Sequence, residues 1–134
     1  MMWQKWIILG LCWCLWGCNN QSAPKELWIY TSIYEDIIEQ LKPIVEAEFP
    51  EAKIQWWKAG SEEVATRVNT ELASGGTQAD LIMTSDPFWY EYLKSKNFLL
   101  AYESPAAKEI PENFKDPDHF FTTIRLSTMV MTYN

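Results

Sequence analysis

Three times between Glu26 and Leu93 a short β-prone run gives way to a stretch with helical spacing, and this alternation constrains the fold more than any other feature. Leu27-Trp28-Ile29-Tyr30-Thr31 has no polar alternation, as expected of a central strand covered on both faces. From Ile33 the apolar positions Ile37, Ile38, Leu41, Ile44, Val45 and Phe49 form a helical stripe, with Glu35, Asp36, Glu39, Lys42 and Glu46 opposite. Pro43 predicts a kink or two helical pieces there, and Pro50 a stop. Lys53-Ile54-Gln55-Trp56-Trp57 predicts a second strand and Ala59-Gly60-Ser61 a turn. Val64, Val68 and Leu72 are then the buried line of a helix that Gly75-Gly76 ends. In the third unit Asp80 to Thr84 is strand-like, Asp86 suits an N-cap with Pro87 at the first helical position, and Phe88, Tyr92 and Leu93 are placed to pack. Such a succession predicts an α/β unit: a parallel sheet with right-handed crossovers and helices layered on it. Beyond Leu100 the chain reads as loop, with Ser104-Pro105, Ile110-Pro111 and Asp116-Pro117-Asp118, and Thr122 to Tyr133 reads as extended.

In an open parallel sheet, ligands bind beyond the carboxyl ends of the strands. Those ends carry Thr31-Ser32-Ile33-Tyr34, Gly60-Ser61-Glu62 and Thr84-Ser85-Asp86. All three offer hydroxyls, exposed backbone or carboxylates, the groups that hold a small polar solute. Capping alone would explain Ser61 and Asp86 singly, but three equivalent positions favour binding. The sign of the solute is open at this point. If Glu62 faces the cleft with the Tyr34 phenol, the pair supplies hard oxygen ligands for a divalent or trivalent cation. If Glu62 faces solvent, the serines and the amides at the helix N-terminus favour an anion.

Other residues carry weaker signals. His119, the one histidine, has no second histidine or cysteine at ligand spacing, so a turn is its expected place rather than a metal site. Trp56, Trp57, Phe88, Trp89, Tyr90 and Tyr92 would wall an aromatic pocket, but core packing is the commoner use of such residues. Arg125, in the last extended stretch, is placed to meet an anion in the cleft or to pair on the surface. No nucleophile elbow, P-loop or dinucleotide fingerprint is present, which argues against an enzyme.

The first eighteen residues are laid out as a secretory signal: Lys5, an uncharged apolar run from Trp6 to Trp16, then Gly17 and Cys18. That run is too short for a permanent bilayer-spanning helix of about 20 residues. Leu15-Trp16-Gly17-Cys18 resembles a bacterial lipobox, with Trp16 where a small or β-branched residue is usual. The expected organisation is a signal peptide over residues 1–17, a lipidated Cys18 with a polar tether over 18–25, and a folded body over 26–134. Cys12 and Cys14 leave with the leader, so no intrachain disulfide remains. Export to the periplasm or cell surface follows, with the body held at the membrane by its acyl chains. The chain as a whole is apolar enough to form a core, at 48% hydrophobic and 15% aromatic residues. The net charge of −7, without clustered Lys and Arg, argues against a nucleic-acid partner.

Several of these stretches together resemble a known family. Leu27-Trp28-Ile29-Tyr30-Thr31-Ser32, Ala59-Gly60-Ser61-Glu62-Glu63-Val64, Gln78-Ala79-Asp80-Leu81, Tyr102-Glu103-Ser104-Pro105, Lys115-Asp116-Pro117-Asp118 and Tyr133-Asn134 are similar to bacterial extracellular solute-binding proteins of the type II periplasmic-binding fold, in the branch that contains ferric-iron-binding proteins. The resemblance spans Glu26 to Asn134. It implies a monomeric binding protein with two hinged lobes, which hands its solute to an ABC permease driven by an ATPase. Family members are more than twice this length, so it also implies that residues 26–134 are the N-terminal part of a first three-layer lobe, with the second lobe absent, weak solute binding and marginal stability. It further implies that Tyr34, where a histidine is common, and Glu62 contribute ligands to transported Fe(III), with no resident cofactor required. Small anions such as phosphonates or sugar phosphates, and polyamines, rank behind iron. A secreted α/β enzyme lacking its catalytic half, or a lipoprotein adhesin, are the rivals from other classes.

Overall fold

A computed structural model describes residues 25–127 and 130–133. The proposed leader, Cys18 and tether residues 18–24 lie outside the described residues. Three parallel strands, β1 (Lys25–Thr31), β2 (Ala52–Lys58) and β3 (Leu81–Met83), form a sheet in the order β2-β1-β3. They alternate with helices α1 (Glu35–Glu48), α2 (Ser61–Ala73) and α3 (Pro87–Ser95). The chain is therefore α/β with a three-stranded parallel sheet. Lys25, expected in the tether, is the first residue of β1 and pairs with Ala52.

β1 is central, as its unbroken apolar run requires. Ile29, Tyr30 and Thr31 are all buried, so both faces of the strand are covered. On one face Tyr30 packs with Val64 and Val68 of α2 and with Trp89 and Leu93 of α3, and Trp28, Trp57, Leu72 and Ile82 surround them. Ile29 and Thr31 project to the other face. The β1-to-β2 and β2-to-β3 connections run in opposite directions along the sheet, which places their right-handed crossover helices on opposite faces and leaves that second face to α1. At the lower end Asp80 clamps β3 to β1. Its backbone N–H donates to the Trp28 carbonyl at 2.9 Å, and its carboxylate accepts the Trp28 N–H at 2.8 Å.

Several expectations are corrected. Pro43 lies inside one continuous helix rather than between two pieces. The proline leaves the Glu39 carbonyl without its intrahelical donor, and both residues sit on the exposed side, where water can replace it. Of the α1 stripe only Ile38 is fully buried, while Ile44 and Phe49 are exposed. In α3, Phe88 and Tyr92 are exposed and Trp89 and Leu93 form the packed face. After α3 come two 3-10 turns, Pro105–Glu109 and Glu112–Phe114. The expected extended stretch from Thr122 makes a single antiparallel bridge, Lys115 to Thr122, and no strand among the described residues.

Candidate functional site

The three strand ends converge. The Ser61 hydroxyl donates to the Ser32 hydroxyl at 3.0 Å and lies 3.1 Å from the Ser85 hydroxyl, so one side chain from each strand–helix loop meets at a single point. Backbone pairing beyond the strands sets this up. The Ser32 N–H donates to the Met83 carbonyl at 2.9 Å, and the Ala59 N–H donates to the Thr31 carbonyl at 3.0 Å, so each ladder extends into the loops. The trio sits above β1, where the connection direction reverses, the usual crevice of an open α/β sheet.

The first loop is shaped by Thr31, whose buried hydroxyl accepts the Ile33 N–H at 3.0 Å. Thr31 is thus inside the turn, while Ser32 and Tyr34 are at the edge. Tyr34 precedes α1 and is 65% exposed. In the second loop Gly60, not Ser61, is the N-cap of α2, and it supplies no capping side chain. The first N–H groups of α2 are therefore left for solvent or a ligand. A Cβ built on Gly60 meets nothing within 4 Å, and its φ of −66° suits any residue, so neither packing nor backbone demands glycine there. Glu62 is exposed in the first turn of α2. In the third loop Asp86 caps α3 as expected, accepting the Phe88 and Trp89 N–H groups at 3.0 and 3.1 Å.

Tyr90 secures that third loop, a role its sequence position did not signal. Its hydroxyl donates to the Ile82 carbonyl at 3.1 Å and accepts the Thr84 N–H at 2.8 Å. Burial pushes this phenol above its ordinary range. The remaining aromatics do not assemble into a pocket at the trio: Trp57 and Trp89 belong to the core and Phe88 points to solvent. Tyr92 instead lines a shallow cavity of about 160 Å³ with Asn69, Leu72, Ala73 and Phe98, toward the far ends of α2 and α3.

Acidic residues occupy the helix starts at the edge that holds the trio. Glu35 and Asp36 open α1, Glu62 and Glu63 open α2, and Asp86 caps α3. Arg125 reaches the same edge from the far part of the chain, its guanidinium carbon 5.3 Å from the centre of the Tyr34 ring. Neither the Tyr34 hydroxyl nor the Glu62 carboxylate is hydrogen-bonded into the trio. Among the described residues no three His, Cys, Asp or Glu side chains converge as a metal-binding group. His119 sits in a turn with φ of 63°, its carbonyl accepting the Tyr102 N–H at 2.8 Å.

Together these features define an α/β unit that gathers polar side chains from three loops at the carboxyl edge of a parallel sheet. A scan of the chain against protein-family models finds no match, and a search of curated proteins finds none either.

Proposed function

We propose that the chain captures a small cationic solute outside the cell and passes it to an ABC permease, acting as a lipid-anchored binding component of an importer. The observation that carries this reading is the meeting of Ser32, Ser61 and Ser85 within hydrogen-bonding distance at the ends of three parallel strands. The hydroxyls bond one another rather than a base, which favours binding over nucleophilic catalysis. Glu62 is exposed and is not bonded to the trio. The case for a cation therefore rests on the acidic residues that open or cap the helices at this edge, Glu35, Asp36, Glu62, Glu63 and Asp86, rather than on a carboxylate aimed into it. Ferric iron is the first solute to test, because the Tyr34 phenol and the Glu62 carboxylate are hard oxygen donors on the same edge. An organic cation such as a polyamine is the second, favoured by the guanidinium already lying on the Tyr34 ring.

Calorimetric titration with ferric citrate, spermidine and inorganic phosphate tests the proposal. Saturable binding of one cation is expected, weakened about tenfold or more by Ser61→Val, which removes the central hydroxyl. Gly60→Ala should leave folding stability within about 0.5 kcal/mol, since its methyl enters open space, yet weaken a solute that approaches the loop. Heat from phosphate alone reverses the sign of the solute, and no heat from any of the three ends the capture reading.

A further inference from the structure

Arg125 and Tyr34 lie far apart in the chain and meet at the carboxyl edge of the sheet. Tyr34 is two residues beyond Ser32, a span of at most about 7 Å between their Cα atoms, which places it on the same edge as the serine trio. Both side chains are exposed, and among the described residues Arg125 enters no ion pair. Among the described residues its one cation–ring contact is with Tyr34. The other arginine behaves differently: Arg67 is clamped between Tyr30 and Trp57 at 4.5 and 4.3 Å and tied to Glu71. Among the described residues, the contact that holds the Arg125 guanidinium is this one exposed aromatic face, a weak attachment that another cation can replace.

We propose that Arg125 is a resident competitor, its guanidinium occupying on the Tyr34 ring the place taken by an ammonium or guanidinium group of the incoming solute. This rests on the strand-end edge being a capture site, and it names an organic cation as the solute class. The ring, rather than the phenol oxygen, is then the recognition element. A metal ion would instead need the oxygen. Displacement of Arg125 sets a threshold: a solute with one weakly placed charge does no better than the arginine, whereas one whose second ammonium reaches Glu62 or the serine hydroxyls does.

Spermidine titration of the full chain by calorimetry at low salt tests this. Arg125→Gln is expected to tighten spermidine about two- to fivefold by uncovering the ring. Lys58→Gln removes the same charge at the end of β2 without uncovering the ring, and should gain less. Tyr34→Phe should bind within about twofold of the natural protein and Tyr34→Leu several-fold more weakly. Equal gains from Arg125→Gln and Lys58→Gln, or equal losses from Tyr34→Phe and Tyr34→Leu, overturn the proposal. Ferric citrate binding without spermidine binding also overturns it while leaving solute capture standing; heat from neither removes both.

Discussion

At the scale of single residues, Glu71 gathers a cluster of hydrogen bonds that no sequence pattern singled out. Its carboxylate accepts the Arg67 guanidinium at 2.8 Å, the Tyr30 hydroxyl at 2.9 Å, the Thr77 hydroxyl at 2.6 Å and the Gln78 N–H at 3.2 Å. Burial alone would raise its pKa, but the hydrogen bonds together outweigh that and bring it down to about 2. Because the folded value lies below the ordinary 4.5, this stabilisation is present above about pH 4.5 and is lost as pH falls toward 2. Glu71→Gln should cost about 2 kcal/mol at pH 7, where charged hydrogen bonds are lost. Urea denaturation of both proteins across pH 7 to 2 checks it: the gap should narrow below pH 4.5, and a gap independent of pH contradicts the assignment. In the sequence Arg67 and Glu71 look like an ordinary exposed i,i+4 pair on a helix. Only the folded chain shows that Tyr30 and Trp57 receive the guanidinium, because those rings arrive from two other strands.

At the scale of elements, the succession of three strands and three helices was legible, because each depends on local rules, although α1 runs unbroken through Pro43 where a kink or break was expected. The Gly75-Gly76 stop shows why. Both glycines have positive φ, and their N–H groups reach back to the Leu72 and Glu71 carbonyls, closure that glycine permits and sequence can announce. Ser61 shows the opposite: serine before a helix reads as a cap, yet its hydroxyl turns to Ser32 and Ser85 because those loops lie within reach. The convergence of the strand ends was readable from the parallel-sheet rule, whereas which atoms meet was not. Asp86 is where cap and site coincide. Asp86→Ala leaves two donors of the α3 first turn unpaired and should cost about 1 kcal/mol of stability. Since one carboxylate oxygen serves both bonds, Asp86→Asn, which keeps an acceptor oxygen, should recover most of it. Thermal melts of the two variants beside the natural protein decide: if Asp86→Ala melts with the natural protein, the cap contributes nothing.

At the scale of the whole molecule, the described residues after α3 form only two 3-10 turns and one bridge, so their placement rests on a few side chains. Lys94 of α3 pairs with Asp116 and with Asp118, and the buried Asp116 carboxylate also accepts the Phe120 N–H at 3.0 Å. Hydrogen bonds to the two aspartates hold the Lys94 ammonium well above its ordinary range. The desolvation of Asp116 is outweighed by those bonds, which keep its carboxyl below the usual value. Phe121 then stacks on Tyr90, the residue that secures the third strand-end loop, with ring centres 5.5 Å apart. This contact chain links the Asp116 turn to the serine trio, and the segment that it positions continues directly to Arg125. None of it follows from hydrophobic periodicity, since Asp-Pro-Asp reads only as a turn. Asp116→Asn retains the acceptor but removes the charge that binds Lys94, and should release the segment from α3 while leaving the sheet folded. Limited proteolysis should then cleave between Ser104 and Ile124 at least several-fold faster, with the far-ultraviolet circular dichroism little changed. Lys94→Met should do the same from the other side of the pair. If cleavage is no faster in either variant, the aspartate–lysine pair does not hold the segment, and the Lys115–Thr122 bridge and the Tyr90–Phe121 stack must suffice to bring Arg125 to Tyr34.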